Sequence, residues 1–182
     1  MSYTDMTDVF TYNRKLMWTD LDPMADNAKG GYDEVVEASF MAYRDSSNQS
    51  IVTSGEVIFN AESWDVGSFY NTTTGRFTPT TLGRYIIFAA ISLTAATYVA
   101  NTRYRITLQK NGAGTDIWGR YKVMGGLAFT AFDNTITLGA IIDQTIGTDY
   151  WSILTVSDPA DTYDIAFGLE KSYFCGKRIP NW

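Results

Sequence analysis

Asp158, Asp161 and Asp164 place three carboxylates on one short stretch, and carboxylate oxygens are the ligands that calcium takes. Their spacing lacks the regular pattern of a calcium loop. A solvated polar loop is therefore the stronger reading, and no metal site is assigned. Cys175 is the only thiol. It has no partner for an internal disulfide, and its expected role is a small apolar filler within a strand. The chain contains no histidine, which removes Ser-His-Asp and Cys-His nucleophiles and imidazole metal ligands. No local spacing suggests a Ser-Lys or paired-carboxylate mechanism. Gly112-Ala113-Gly114 lies at a hairpin signal rather than between a strand and a helix, so it is not a phosphate loop. No catalytic residue and no cofactor is expected; the chain reads as a non-enzyme.

Aromatic side chains are the other chemical resource, at 15 % of 182 residues. Tyr98, Tyr104, Phe129, Phe132, Tyr150, Trp151 and Phe167 suit a core, a sugar-stacking surface or a subunit contact. Core is the best reading for any one of them. As a group they exceed what a small core needs, and aromatics are enriched where subunits meet. The formal charge of -6 argues against nucleic acid as a partner, since phosphate contacts need clustered Lys and Arg. No apolar run is long enough to span a membrane as a helix. The N-terminus carries Asp5, Asp8 and Asp20 and no apolar core of an export signal. Without such a signal, the sequons Asn48-Gln49-Ser50 and Asn71-Thr72-Thr73 read as chance matches.

The elements that position these residues are strands. Tyr104, Ile106 and Leu108 alternate with Arg103, Arg105, Thr107 and Gln109 up to the hairpin signal Lys110-Asn111-Gly112. Ile136, Leu138, Ala140 and Ile142 form a second alternation, followed by a turn at Gly147-Thr148-Asp149. Trp151, Ile153 and Thr155 form a third, closed by Ser157-Asp158-Pro159. Further strands are expected at Ile165 to Leu169 and Tyr173 to Ile179. The stretch SFYNTTTGRFTPTTLGRYIIFAAISL pairs turn chemistry at Asn71, Gly75, Pro79 and Gly83 with a strand apolar on both sides. Tyr85, Ile87, Ala89, Ile91 and Leu93 face one way, and Ile86, Phe88 and Ala90 the other. A sandwich covers only one of these faces, so the second must meet another chain or a long loop. With no amphipathic helix in view, the fold class is all-β, an antiparallel sandwich or barrel.

The order of motifs resembles the globular head of complement component one, subcomponent q, within the tumour-necrosis-factor-like jelly rolls. Ala38-Ser39-Phe40-Met41-Ala42-Tyr43-Arg44 is similar to the family's opening strand, and Val57-Ile58-Phe59 to its second. Tyr70, Thr74, Gly75, Phe77, Gly83, Tyr85 and Phe88 match its Tyr-to-Phe motif, and Lys110-Asn111-Gly112 its Lys-Asn-Gly turn. Gly147-Thr148-Asp149-Tyr150-Trp151 approximates the Gly-Asp segment with an added Thr148. Phe174-Cys175-Gly176-Lys177-Arg178-Ile179 resembles the last strand, with charges at Lys177 and Arg178 where the family is apolar. The likeness spans about residues 36 to 179 and implies a jelly-roll sandwich that assembles as a homotrimer. Ile86, Phe88, Tyr98, Tyr150 and Trp151 are the candidates for the trimer contact.

Residues 1–33 have no period of two and end in Asn27-Ala28-Lys29-Gly30-Gly31, a flexible joint. They are read as a docking arm ahead of a head domain at 34–182, with Val9, Phe10, Leu16, Met17, Trp18 and Leu21 as partner-binding residues. The function expected from these features is a bacteriophage virion protein. It would decorate or cement the capsid from the virion surface as a homotrimer, with the major capsid protein or a fibre shaft as partner. A receptor- or carbohydrate-binding head on a tail fibre is the alternative, and a secreted recognition domain the next.

Overall fold

The computed structural model describes residues 38–94, 101–112, 116–123 (through the backbone) and 134–180. In chain order its strands are β1 (Ser39–Tyr43), β2 (Gln49–Val52), β3 (Ser54–Glu56), β4 (Ala61–Val66), β5 (Tyr70–Asn71) and β6 (Arg76–Phe77). They continue with β7 (Gly83–Leu93), β8 (Arg103–Lys110), β9 (Asp116–Val123), β10 (Asn134–Gln144), β11 (Trp151–Asp158), β12 (Thr162–Ile165) and β13 (Tyr173–Arg178). Among the described residues there is no helix.

The strands form two antiparallel sheets. The first runs β4-β1-β13-β7-β10, and β12 with β2 continues from the far end of β7 at Leu93. The second runs β5-β6-β11-β8-β9, with β3 also on β11. Their inner faces share one apolar core, as in a β-sandwich. The expected alternations supply it. Tyr85, Ile87, Ala89, Ile91 and Leu93 of β7 meet Tyr104, Ile106 and Leu108 of β8 and Trp151 and Ile153 of β11, all buried.

An aromatic cluster joins the layers. The Phe40 ring on β1 lies 4.3 Å from Phe77 on β6, 5.1 Å from Tyr70 on β5 and 4.9 Å from Phe174 on β13. The turn that delivers Phe77 is set by Asn71, whose Oδ1 accepts hydrogen bonds from Thr73 N at 2.9 Å and Thr74 N at 3.0 Å. Gly75 follows at φ +71°, and a Cβ there would stand 2.7 Å from the carbonyl oxygen of Val57. A side chain is thus opposed by both torsion and contact.

Two expectations need correction. Ile165 to Leu169 is not a strand: β12 ends at Ile165, and the chain then turns through Gly168, whose carbonyl accepts from Lys171 N and Ser172 N at 3.0 Å. An apolar run of this length leaves strand and turn undecided until its pairing partner, here β2, is known. Thr107 and Gln109 lie on the outer side of β8 as their alternation requires, yet both are buried. Alternation assigns a side to a residue, whereas cover depends on the rest of the chain.

Candidate functional site

The outer face of the first sheet carries the most conspicuous surface feature of the described residues. Directly opposed residues of antiparallel strands share a face, so the register lays out this surface row by row. Phe88 on β7 opposes Gly139 on β10 and Cys175 on β13; Cys175 opposes Met41 on β1, and Met41 opposes Trp64 on β4. The next row joins Ile141, Ile86 and Lys177. An apolar strip therefore crosses five neighbouring strands. Ile141 is 56 % exposed, Trp64 49 % and Phe88 47 %, so three large side chains stand half in water.

Ile86, Phe88, Gly139, Ala140 and Ile141 line a shallow cleft of about 460 Å³ on this strip. Gly139 makes room for it: a Cβ there would come within 3.1 Å of the Phe88 ring. Charge is confined to the cleft's margin, at exposed Lys177 and at the Arg84–Asp143 pair, 3.6 Å apart. Farther along β7 the same face closes within the chain. Ala90 is buried, and Ser92 Oγ pairs with Thr135 Oγ1 at 2.6 Å while donating to Lys171 O at 2.9 Å. Of the second apolar face read in the sequence, only the Ile86–Phe88 part stays open.

The other candidates lie elsewhere. Trp151 is 3 % exposed; its Nε1 donates to Gln144 Oε1 at 2.7 Å, so it has almost no surface to offer a second copy. It belongs to the core because it starts β11 on the inward side. Tyr150 is half-buried beside the second sheet, with the Arg76 guanidinium 4.2 Å above its ring. Neither adjoins Ile86 and Phe88. Tyr98 and the arm residues Val9, Phe10, Leu16, Met17, Trp18 and Leu21 lie outside the described residues. Met41, Trp64 and Ile141 were missed in the sequence. Their signal was the out-facing phase of β1, β4 and β10, visible once those strands are aligned with β7.

Several ionisable groups among the described residues are tied into the fold. Burial pushes the Cys175 thiol up, away from the reactive thiolate. Burial likewise raises Tyr163 to about 12, and its hydroxyl donates to Thr155 Oγ1 at 3.0 Å. Asp161 accepts from the Tyr104 hydroxyl and, at 2.8 Å, from Thr162 N. Among the described residues no group of three or more His, Cys, Asp and Glu is placed to hold a metal ion. The arrangement is suited to surface contact.

Two antiparallel sheets in this order define an all-β jelly-roll sandwich of the tumour-necrosis-factor and complement-head type. Solved structures with this fold include Eiger, a TNF from S. frugiperda, at TM-score 0.62 and 12 % identity over 80 % of this chain and 94 % of that one. Murine APRIL gives 0.58 and 10 % over 78 % and 98 %, and the globular domain of zebrafish complement 1qA protein 0.54 and 17 % over 80 % and 100 %. At these identities the likeness is one of fold. No family model and no curated protein matches the sequence.

Proposed function

We propose that this chain is a non-enzymatic homotrimeric head that decorates a bacteriophage capsid, docking through residues 1 to about 33. The observation that carries the assembly is the apolar strip through Ile141, Phe88 and Trp64. Each such side chain contributes roughly 1.5–3 kcal/mol when fully buried, and three half-exposed ones on one face favour covering it. A second copy is the assigned cover, in a closed ring of three. The jelly-roll fold is compatible with such a ring.

Attachment is assigned to the arm, whose Val9, Phe10, Leu16, Met17, Trp18 and Leu21 are too apolar for a free tail. Light scattering of the full chain is expected to give three times the chain mass, and the F88D/I141D variant a folded single chain. A stable monomer of the parent removes the trimer. Heads lacking residues 2–30 are then mixed with particles stripped of the native protein and sedimented. Loss of rebinding supports the arm, and full rebinding moves attachment onto the sandwich. Rebinding of the full chain to isolated fibre shafts rather than capsid shells would assign the head to a tail fibre.

A further inference from the structure

The apolar strip on the first sheet has two unlike ends. One row of the register runs Trp64, Met41, Cys175, Phe88 and Gly139 from β4 to β10. At roughly 4.8 Å per strand, its ends lie about 19 Å apart. At the β4 end the Trp64 indole stands 49 % exposed on an edge strand. At the β10 end Gly139 has no side chain, and the surface dips into the cleft of about 460 Å³ beside Phe88 and Ile141. One face thus carries both a knob and a hole.

Backbone and charge match the two ends as well. Ile179 N donates to Arg84 O, so even-numbered residues of β7 bond toward β13 and odd-numbered ones toward β10. Their partners on β10 are its even-numbered residues, which leaves the C=O groups of Gly139 and Ile141 directed at the far edge. No described strand pairs with that edge, and both residues are exposed. Such a carbonyl is the acceptor that an indole N–H needs when its ring is buried. On β4, Glu62 is exposed two residues from Trp64, and exposed Lys177 stands at the cleft's margin. Among the described residues neither has an ion-pair partner.

We propose that Trp64 of one copy seats in the Phe88–Gly139–Ile141 cleft of the next. This seat rests on the assembly proposed above and names the residue that covers the strip. The indole fills the space that Gly139 leaves, its N–H meets a β10 carbonyl, and Glu62 approaches Lys177 of the neighbouring copy. A contact between unlike patches is the kind from which a ring is closed.

Sedimentation velocity of the full chain over a dilution series reads the association constant, and circular dichroism of each variant checks the fold. W64A should weaken association about tenfold or more, as loss of a buried indole anchor does. W64F should recover part of that loss. I146A, which removes an exposed apolar side chain off the strip, should change nothing. W64A keeps the hole and I141D keeps the knob. A mixture of the two should therefore form a mixed pair at concentrations where each alone is a single chain. An assembled parent matched by W64A removes the seat and leaves the ring of three standing. Equal weakening by I146A, or no mixed pair at the highest soluble concentration, also removes the seat. A two-chain parent that W64A weakens keeps the seat and removes the ring, and a single-chain parent removes both.

Discussion

Replacing Gly75 by alanine tests the turn that delivers Phe77 to the core. The backbone at Gly75 has φ +71°, where an L-residue with Cβ costs about 1–2 kcal/mol. The added methyl would also stand 2.7 Å from the Val57 carbonyl oxygen and 3.3 Å from the Ile58 Cα, atoms of backbone that cannot swing aside. Relieving an overpacked contact of this kind costs typically about 1–3 kcal/mol. Together the two effects predict a loss of about 2–5 kcal/mol, or a Tm lowered by roughly 4–20 °C in a domain of this size. Differential scanning calorimetry at one fixed protein concentration is the assay, because association shifts Tm by mass action. G75N separates the causes. Asparagine tolerates the left-handed region but still carries Cβ, so partial recovery identifies torsion and none identifies the contact. T73A, in the exposed part of the same turn, is the neutral control. A G75A melting point within a degree of the parent would refute the account of this turn.

Gln144 is buried and ties one end of the sandwich together. Its Nε2 lies 2.9 Å from the carbonyl oxygens of Pro79, Ile146 and Asp149, and its Oε1 accepts from Trp151 Nε1. Q144L keeps the volume but strands the indole donor, so a loss of about 2–4 kcal/mol in urea unfolding is expected; a change under half of that would show that the network relaxes or rehydrates. Hydrogen bonds from Lys110 at 2.6 Å and Asn111 at 2.8 Å hold the Asp149 carboxyl below its usual range. A depressed carboxyl stabilises the fold above its unfolded value, about 3.9, and that stability is lost as pH falls through the lower folded value. The gap between the parent and D149N should therefore be present at pH 7 and shrink below about pH 4, and equal gaps at both would contradict it.

Much of the fold was legible because a strand's period is two residues. Tyr104, Ile106 and Leu108, or Ile136, Leu138 and Ile142, declare an inward side without reference to any partner. The Asn71-to-Gly75 turn was equally local, since it is built from one side chain's hydrogen bonds and one glycine's torsion. The weak point was the run after Ile165, where no alternation separates strand from turn.

What only the tertiary structure decided is which out-facing residues stay exposed and which of them become neighbours. Ala90 and Phe88 share a phase on β7, yet one is buried and the other is 47 % exposed. Trp64 and Ile141 are distant in sequence, and only the pairing of β4, β1, β13, β7 and β10 puts them on one face with Phe88. Trp151, open in the sequence to either core or subunit contact, is turned inward onto Gln144 by its place at the start of β11. Asp158, read first with Asp161 and Asp164, faces Arg103 across the β8–β11 pair instead. The reason is physical. A residue's side of a strand follows from its own backbone geometry, whereas its neighbours follow from strand register and its exposure from whatever packs above it. Both are non-local and are settled only when the whole sheet closes.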